Sequence, residues 1–417
     1  MLKVIFILLL ILDYGYKILK VFLTHEQRKK PLPEAVRDIL TPEQHQTLTE
    51  YETACQKLRI IQITLRFGWM MVLYGTDLWS RFYLLHSTGS MESECLLIAL
   101  FILLSNLLDV PFLYIRQFKI DGKFGLNRCS IRTFVTDCIR RFLLSTFCWS
   151  LFCIACSYMS AFSSWNHFLL ITSSAILAGN LVGPLSTLLF IRMENKSIPL
   201  EEGPLRNKLT ELFTKEGYRL KQIYVMDASR RTTRANAFCT GVGRLKRIVL
   251  YDNLVRNYTE EEILGVFAHE LGHYKNRDTV KLMFYSMIRM LLINLLICSS
   301  FLLYGQLYAS YNLLGLSPAF AVLTVTCSDV MGPVNILLNA AHNALVRPME
   351  IRADALARDY GYGEGLSSFF RRSARQDLVS LHLHPLIMAI EYAHPPIHKR
   401  IDAIRTRPPA DCTNTTI

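Results

Sequence analysis

The stretch His269-Glu270-Leu271-Gly272-His273 holds the residues of this chain best suited to hydrolytic chemistry. Two imidazoles four residues apart leave a helix on one face and can grip a single metal ion. The glutamate beside the first imidazole is placed to take a proton from an attacking water. Two histidines on one face can also simply pack and hydrogen-bond, so the motif needs a helix around it. Thr259-Glu260-Glu261-Glu262 supplies the start of one, as a capping box with threonine first and glutamate three residues on. Ile263, Leu264, Val266 and Phe267 follow, so the helix carries the histidines in its third turn.

A catalytic zinc takes three protein ligands and keeps one position open. The longer motif with a third histidine does not fit, because Thr279 stands at the histidine position and Asn276 at the glycine position. After Asp278 no acidic residue occurs until Asp329, so the third ligand must come from beyond a pair of long apolar runs. Arg347-Pro348-Met349-Glu350 reads as a helix start with proline in the first turn, and that helix ends before Gly361. Glu350 and Asp354 share a face, so one carboxylate can bind metal while the other accepts the N–H of a ligand histidine. Glu350 is the favoured ligand. The competing reading is a surface helix of alternating charge, with Arg352, Asp354, Arg358 and Asp359.

The chain around these residues is too apolar for a typical soluble enzyme. Its 417 residues are 51% hydrophobic and only 19% charged, with mean hydropathy +0.24. The apolar residues form long blocks, which predict seven membrane segments near 2–23, 64–85, 95–116, 142–162, 168–192, 282–304 and 313–345. The first is retained rather than cleaved, since no small-residue cleavage site follows Leu12. Loops 86–94, 163–167 and 305–312 carry no lysine or arginine, whereas 24–63, 117–141, 193–281 and the tail after 346 carry nearly all of them. The positive-inside rule turns those basic loops to the cytosol, and the histidine motif with them. The net charge of +12 is then explained by loops lying on an anionic leaflet, and no nucleic-acid fold signature accompanies it.

The pattern divides the chain into 1–192, five membrane helices; 193–281, a cytosolic insertion; 282–345, membrane helices six and seven; and 346–417, a cytosolic tail with the third ligand. The insertion predicts a helix near 204–217, strands near 221–227 and 246–252, and a hairpin or edge strand between them. The tail predicts helices near 348–360 and 385–406. Asn180 and Pro184 interrupt the fifth span, and Asp329, Asn335 and Asn339 the seventh. Hydrogen bonds between helices would account for each of these residues, and a water-filled chamber would account for their number. Of the 11 cysteines, many lie inside apolar runs and none suggests a disulfide scaffold.

Taken together, these pieces resemble the type I CAAX prenyl endopeptidases, integral-membrane zinc metallopeptidases of the endoplasmic reticulum. The resemblance rests on Gly265 through His273, on Glu350-Ile351-Arg352-Ala353-Asp354-Ala355, on Asn236-Ala237-Phe238, and on the strand Lys246 through Asp252. It rests too on the tail run Ala393 through Ile401 and on upstream loops at Lys123 through Asn127 and Pro199 through Gly203. It implies one zinc held by His269, His273 and Glu350, with Glu270 activating water. It implies Asp354 in a supporting or acidic role, Asn236 and its neighbours Ala237 and Phe238 holding substrate backbone, and His394 and Arg400 steadying the oxyanion or the substrate carboxylate. The implied fold is all-α and polytopic, seven transmembrane helices around an intramembrane chamber, with a small α+β cytosolic region. Implied partners are prenylated protein C-termini and the bilayer, in the endoplasmic reticulum and, as a second location, the inner nuclear membrane. Two residues depart from the family: Asp377 stands where asparagine is usual, and Cys239 where an aromatic residue is. A broader membrane quality-control protease is the alternative within the same chemistry, and a non-enzymatic membrane scaffold the alternative outside it.

Overall fold

The computed structural model describes residues 2–76, 78–86, 88, 90–162, 169–170, 172–174, 176–177, 197–217, 223–240, 247–302 and 331–406. Most of the expected fifth span and the first half of the seventh lie outside the described residues, with Asn180, Pro184 and Asp329 among them.

Long helices make up the first half: α1 Leu2–Arg28, α2 Glu34–Arg37, α3 Pro42–Gly75, α4 Leu78–His86, α5 Met91–Tyr114 and α6 Ile131–Phe162. After α5 the chain continues in π-helical turns over Ile115–Asp121. Among the described residues, Ala99–Asp121 and Asp278–Leu296 are helical, long and apolar enough to cross a membrane. Leu8, Leu12, Leu143, Phe147 and Ile288 stand exposed on the long helices, as side chains facing lipid would. The expected second span, 64–85, is not one helix. The Thr76 hydroxyl donates back to the Val72 carbonyl at 2.6 Å, just after Gly75, and α3 ends there.

The second half holds a sheet and the site. Its elements are β1 Ser197–Pro199, α7 Pro204–Lys215, β2 Ile223–Met226, β3 Ala237–Thr240, β4 Arg247–Tyr251, α8 Asp252–Asn257 and α9 Glu260–Lys275. There follow α10 Asp278–Leu302, α11 Gly332–Asp359, α12 Gly363–Gln376, α13 Pro385–Glu391 and α14 Ile397–Thr406. The sheet order is β1-β2-β4-β3, with β2 parallel to β4 and the other pairs antiparallel, so β3 is an edge strand. One apolar core joins this sheet to α7, α9, α12 and α14 through Leu209, Phe213, Leu250, Phe267, Leu366 and Ile401. Phe213 meets Phe267 edge-on at 5.2 Å, and each such buried side chain contributes about 1.5–3 kcal/mol.

Two expectations for the tail are corrected. Pro348 does not start a helix, because α11 runs unbroken from Gly332 to Asp359 and contains it. A proline inside a helix costs a backbone bond, but packing on both sides holds this one straight through. Arg347 donates to the carbonyls of Ala389 at 3.0 Å and Tyr392 at 3.2 Å, closing the end of α13, while Glu350, Ala353 and Asp354 are buried against α9. The expected helix 385–406 is two helices, since Pro395 and Pro396 cannot continue α13. Between α10 and α11, the Arg289 guanidinium donates to the Asn335 side chain at 3.1 Å, an interhelical hydrogen bond.

Glycines set how closely the motif helix lies on its neighbours. A methyl group on Gly272 would sit 2.7 Å from the Cα of Ala353, and one on Gly265 would sit 2.5 Å from the Leu366 amide nitrogen. Gly272→Ala is therefore expected to lower stability by about 1–3 kcal/mol through overpacking. It is also expected to weaken zinc binding, because the backbone it pushes away carries Glu350. Thermal unfolding together with zinc titration checks this; an unchanged melting temperature would contradict the close approach.

Candidate metal centre

The capping box forms as the sequence requires. Thr259 accepts from the Glu262 amide at 3.2 Å, and the Glu262 carboxylate accepts from the Thr259 amide at 2.9 Å. Glu262 is itself buried and takes hydrogen bonds from Ser368 at 2.7 Å and Arg372 at 3.2 Å, which ties the start of α9 to α12. The helix that follows puts both imidazoles on the face turned to α11.

His269, His273 and Glu350 bring one ligand atom each to within 4.8 Å of one another. The two Nε2 atoms are 3.2 Å apart, and Glu350 oxygens lie 3.5 Å from His269 Nε2 and 3.3 Å from His273 Nε2. Tetrahedral ligation at 2.0–2.1 Å places ligand atoms about 3.3 Å apart, so this spacing fits a zinc ion. The rest of each imidazole supports the fit. His269 Nδ1 is 2.9 Å from Asp354, and His273 Nδ1 is 3.0 Å from Asp278. Carboxylates at both Nδ1 positions hold the protons there and turn the Nε2 lone pairs inward. Glu350 Oε2 is buried and has no aligned donor, although His394 Nδ1 comes within 2.7 Å of it. A positive charge at this point, a proton or a metal ion, is what lets two Nε2 atoms and a buried carboxylate stand so close together.

Asp354 is fully buried beneath the site and held by Arg400, whose Nη2 and Nε reach its two oxygens at 2.6 and 2.8 Å. Burial alone would raise its pKa, but the Arg400 charge and the His269 contact outweigh burial and hold it below the ordinary aspartate value. An ionised Asp354 orients His269 and has no proton to donate. Arg400 is buried as well, with its guanidinium 4.2 Å from the Phe370 ring centroid and 3.3 Å from His269 Nδ1. Its fork is bound to Asp354, and Nη2 also lies 3.4 Å from Glu350 Oε2. His394 is brought in by the turn before Pro395 and remains two-thirds exposed at 67%. Glu270 is half-buried between the two histidines in the same helix.

Sequence reasoning missed Asp278. Arg277 adopts φ of 53°, a left-handed turn between α9 and α10 that carries Asp278 back onto His273. The signal in the sequence was only an acidic residue a turn beyond the motif; in the fold it is buried. Asp278→Asn is expected to weaken zinc affinity about 10–100-fold with the fold intact, as loss of such a supporting carboxylate commonly does. Equilibrium dialysis reads this directly. A pH dependence follows from the same contacts. Burial opposes charge on His273, yet the carboxylates of Glu350 and Asp278 raise its pKa from 6.5 to about 9. A metal ion must displace that proton, so zinc affinity should rise about tenfold per pH unit up to about pH 9 and level off above it. A chelator competition series across pH tests the slope.

The expected substrate residues lie together on the sheet edge. Asn236 is exposed just before β3, and Ala237 and Phe238 begin the strand, which packs beside α9. A cavity of about 960 Å³ opens here, its wall including Tyr51, Arg116, Arg234, Asn236, Asp377 and Tyr392. Asp377 is buried, accepts from the Ser373 hydroxyl at 2.8 Å, and has its pKa raised by burial.

The chain's relatives match both halves. Residues 199–408 match the model of peptidase family M48, and residues 22–185 match that of the CAAX prenyl protease N-terminal region, five membrane helices. The probable CAAX prenyl protease 1 of Schizosaccharomyces pombe is 31% identical, over 81% of this chain and 70% of that one. The CAAX prenyl protease 1 of Saccharomyces cerevisiae is 24% identical, over 92% of this chain and 91% of that one. The crystal structure of S. mikatae Ste24p superposes with a TM-score of 0.85 at 23% identity, covering 97% of this chain and 99% of that one, and shares its fold. The fold is that of a multi-pass membrane protein with a helical N-terminal region.

Proposed function

This chain belongs to peptidase family M48, among the CAAX prenyl proteases, and on that premise we propose that it removes the C-terminal tripeptide from prenylated CAAX proteins. The observation that carries the reading is the convergence of His269, His273 and Glu350 from α9 and α11 on one buried point. A zinc ion bound there supplies Lewis-acid polarisation of the scissile carbonyl and lowers the pKa of water toward neutrality. Glu270 takes the proton of the attacking water and passes it to the leaving amine. Asp354 and Asp278 hold the two imidazoles in the tautomer that faces the ion. Asn236, Ala237 and Phe238 hold the substrate backbone along the β3 edge. His394, exposed beside Glu350, steadies the oxyanion.

The reading extends to architecture and place. Seven spans surround a chamber, residues 193–281 and 346–417 form the cytosolic α+β region, and 1–192 and 282–345 the membrane part. The protein works in the endoplasmic reticulum membrane, and in the inner nuclear membrane continuous with it, with its site open to the cytosol. A prenyl chain on the substrate explains a hydrolase at membrane depth, since the lipid stays in an apolar phase while the peptide reaches the metal. The test compares one peptide with and without its prenyl group. Cleavage of the prenylated form alone is expected; equal rates would favour a broad quality-control protease instead.

A further inference from the structure

If the protease reading holds, the leaving tripeptide ends in a free carboxylate, and something must receive it. Arg400, the guanidinium nearest the metal centre, is buried and bound through both arms to Asp354. The 960 Å³ cavity offers a different cation. Tyr51 is buried, and its hydroxyl accepts from Arg234 Nη2 at 2.9 Å and from Arg116 Nη2 at 2.6 Å while donating to Asp121 at 3.0 Å. Burial pushes the phenol up to about 12, so it stays a neutral hydroxyl between the two guanidiniums. Arg116 is neutralised by Asp121 at 3.1 Å, and Arg28, on the same wall, by Glu52 at 3.0 Å. Arg234 has no carboxylate hydrogen-bonded to it among the described residues. The Asp377 carboxyl is near enough to feel its charge but is buried and takes its hydrogen bond from the Ser373 hydroxyl. Arg234 is thus anchored on Tyr51 at one end, exposed into the cavity, and without a carboxylate ion pair among the described residues.

Its place relative to the sheet edge sets a direction. The Asn236 carbonyl accepts from the Tyr251 amide at 2.9 Å, so the alternation of the antiparallel ladder turns the backbone of Ala237 and Cys239 outward. The outward amide of Ala237 is already taken by the Asn236 side-chain oxygen at 2.9 Å, so a peptide pairing at that residue meets its carbonyl. A peptide added to this edge can run either way. Run antiparallel to β3, its C-terminus points past Asn236 toward Arg234. A tripeptide spans about 10 Å when extended, the reach of the three residue steps from Arg234 to Ala237.

We propose that Arg234, anchored on Tyr51 beside Arg116, receives the substrate's terminal carboxylate and so sets both the polarity of binding and the preference for a free C-terminus. Charge-assisted hydrogen bonds of this kind are worth about 10- to 100-fold. The experiment uses the full-length protein in detergent and two prenylated peptides, one ending in a carboxylate and one in its amide. The wild type should cleave the acid with a kcat/KM about 10- to 100-fold above that of the amide, and Arg234→Gln should cleave both at the wild-type amide rate. Retained amide cleavage shows the variant is folded. An acid-to-amide ratio in Arg234→Gln equal to the wild-type ratio overturns the proposal. Should the variant cleave neither peptide, product inhibition of the wild type decides. The free tripeptide should inhibit about 10- to 100-fold better than its amide, and equal inhibition overturns the proposal. A wild type that leaves both prenylated peptides intact sinks the protease reading, and this inference with it.

Discussion

Glu270→Gln is expected to lower kcat/KM on a prenylated peptide by about 10²–10⁴-fold while zinc stays bound. Glutamine keeps the shape and the helix propensity of glutamate but accepts no proton. The metal ligands are untouched, because His269, His273 and Glu350 are fixed by Asp354, Asp278 and α11 and not by Glu270. The expected signature is a fall in kcat with near-stoichiometric zinc by elemental analysis. Full turnover in a zinc-loaded variant would remove Glu270 from the proton path. Loss of zinc along with activity would instead assign it to the binding of the ion.

Arg400→Leu is expected to destabilise the protein by about 3–5 kcal/mol, since it leaves the Asp354 charge buried with only His269 against it. The guanidinium reaches both Asp354 oxygens and lies on Phe370, and 7% of its surface is exposed, so water cannot replace it. The double variant Arg400→Leu with Asp354→Asn should recover much of the loss, because neither charge is then left alone. Unfolding in detergent at fixed pH measures both. The sign of the pH dependence follows from the depressed Asp354 pKa: its stabilisation is present above the ordinary aspartate value near 3.8 and is lost as pH falls through the lower folded value. A loss under 1 kcal/mol in the single variant would show that water or another cation reaches Asp354.

The two halves of the site differed in how readable they were. His269, His273 and their helix are local features: a fixed spacing, a capping box and an apolar run, all within 259–273. Glu350 is reachable from the sequence only by exclusion, and at Pro348 propensity argues for a helix start where α11 runs through. Helix α12 left a signal in Leu366, Phe370 and Ala374, buried at intervals of four residues, but short helices with this much charge are easily lost beside long apolar blocks. The break after Gly75 in the expected second span was hidden because hydropathy averages over a window and does not see one threonine bonding back to Val72.

What the sequence determined by itself was the candidate chemistry: side chains suited to hold an ion, a glutamate placed to take a proton, and the apolar blocks of a membrane protein. These follow from side-chain type and from periodicity over a few turns. Tertiary structure alone decided what supports that chemistry. Asp278 faces His273, Arg400 is paired with Asp354 beside the two ligand side chains, and Gly272 lets α11 close on α9. Each of these depends on the distance between elements far apart in the chain or across a tight turn. Local propensity carries no information about such distances, which are set by how the core fills.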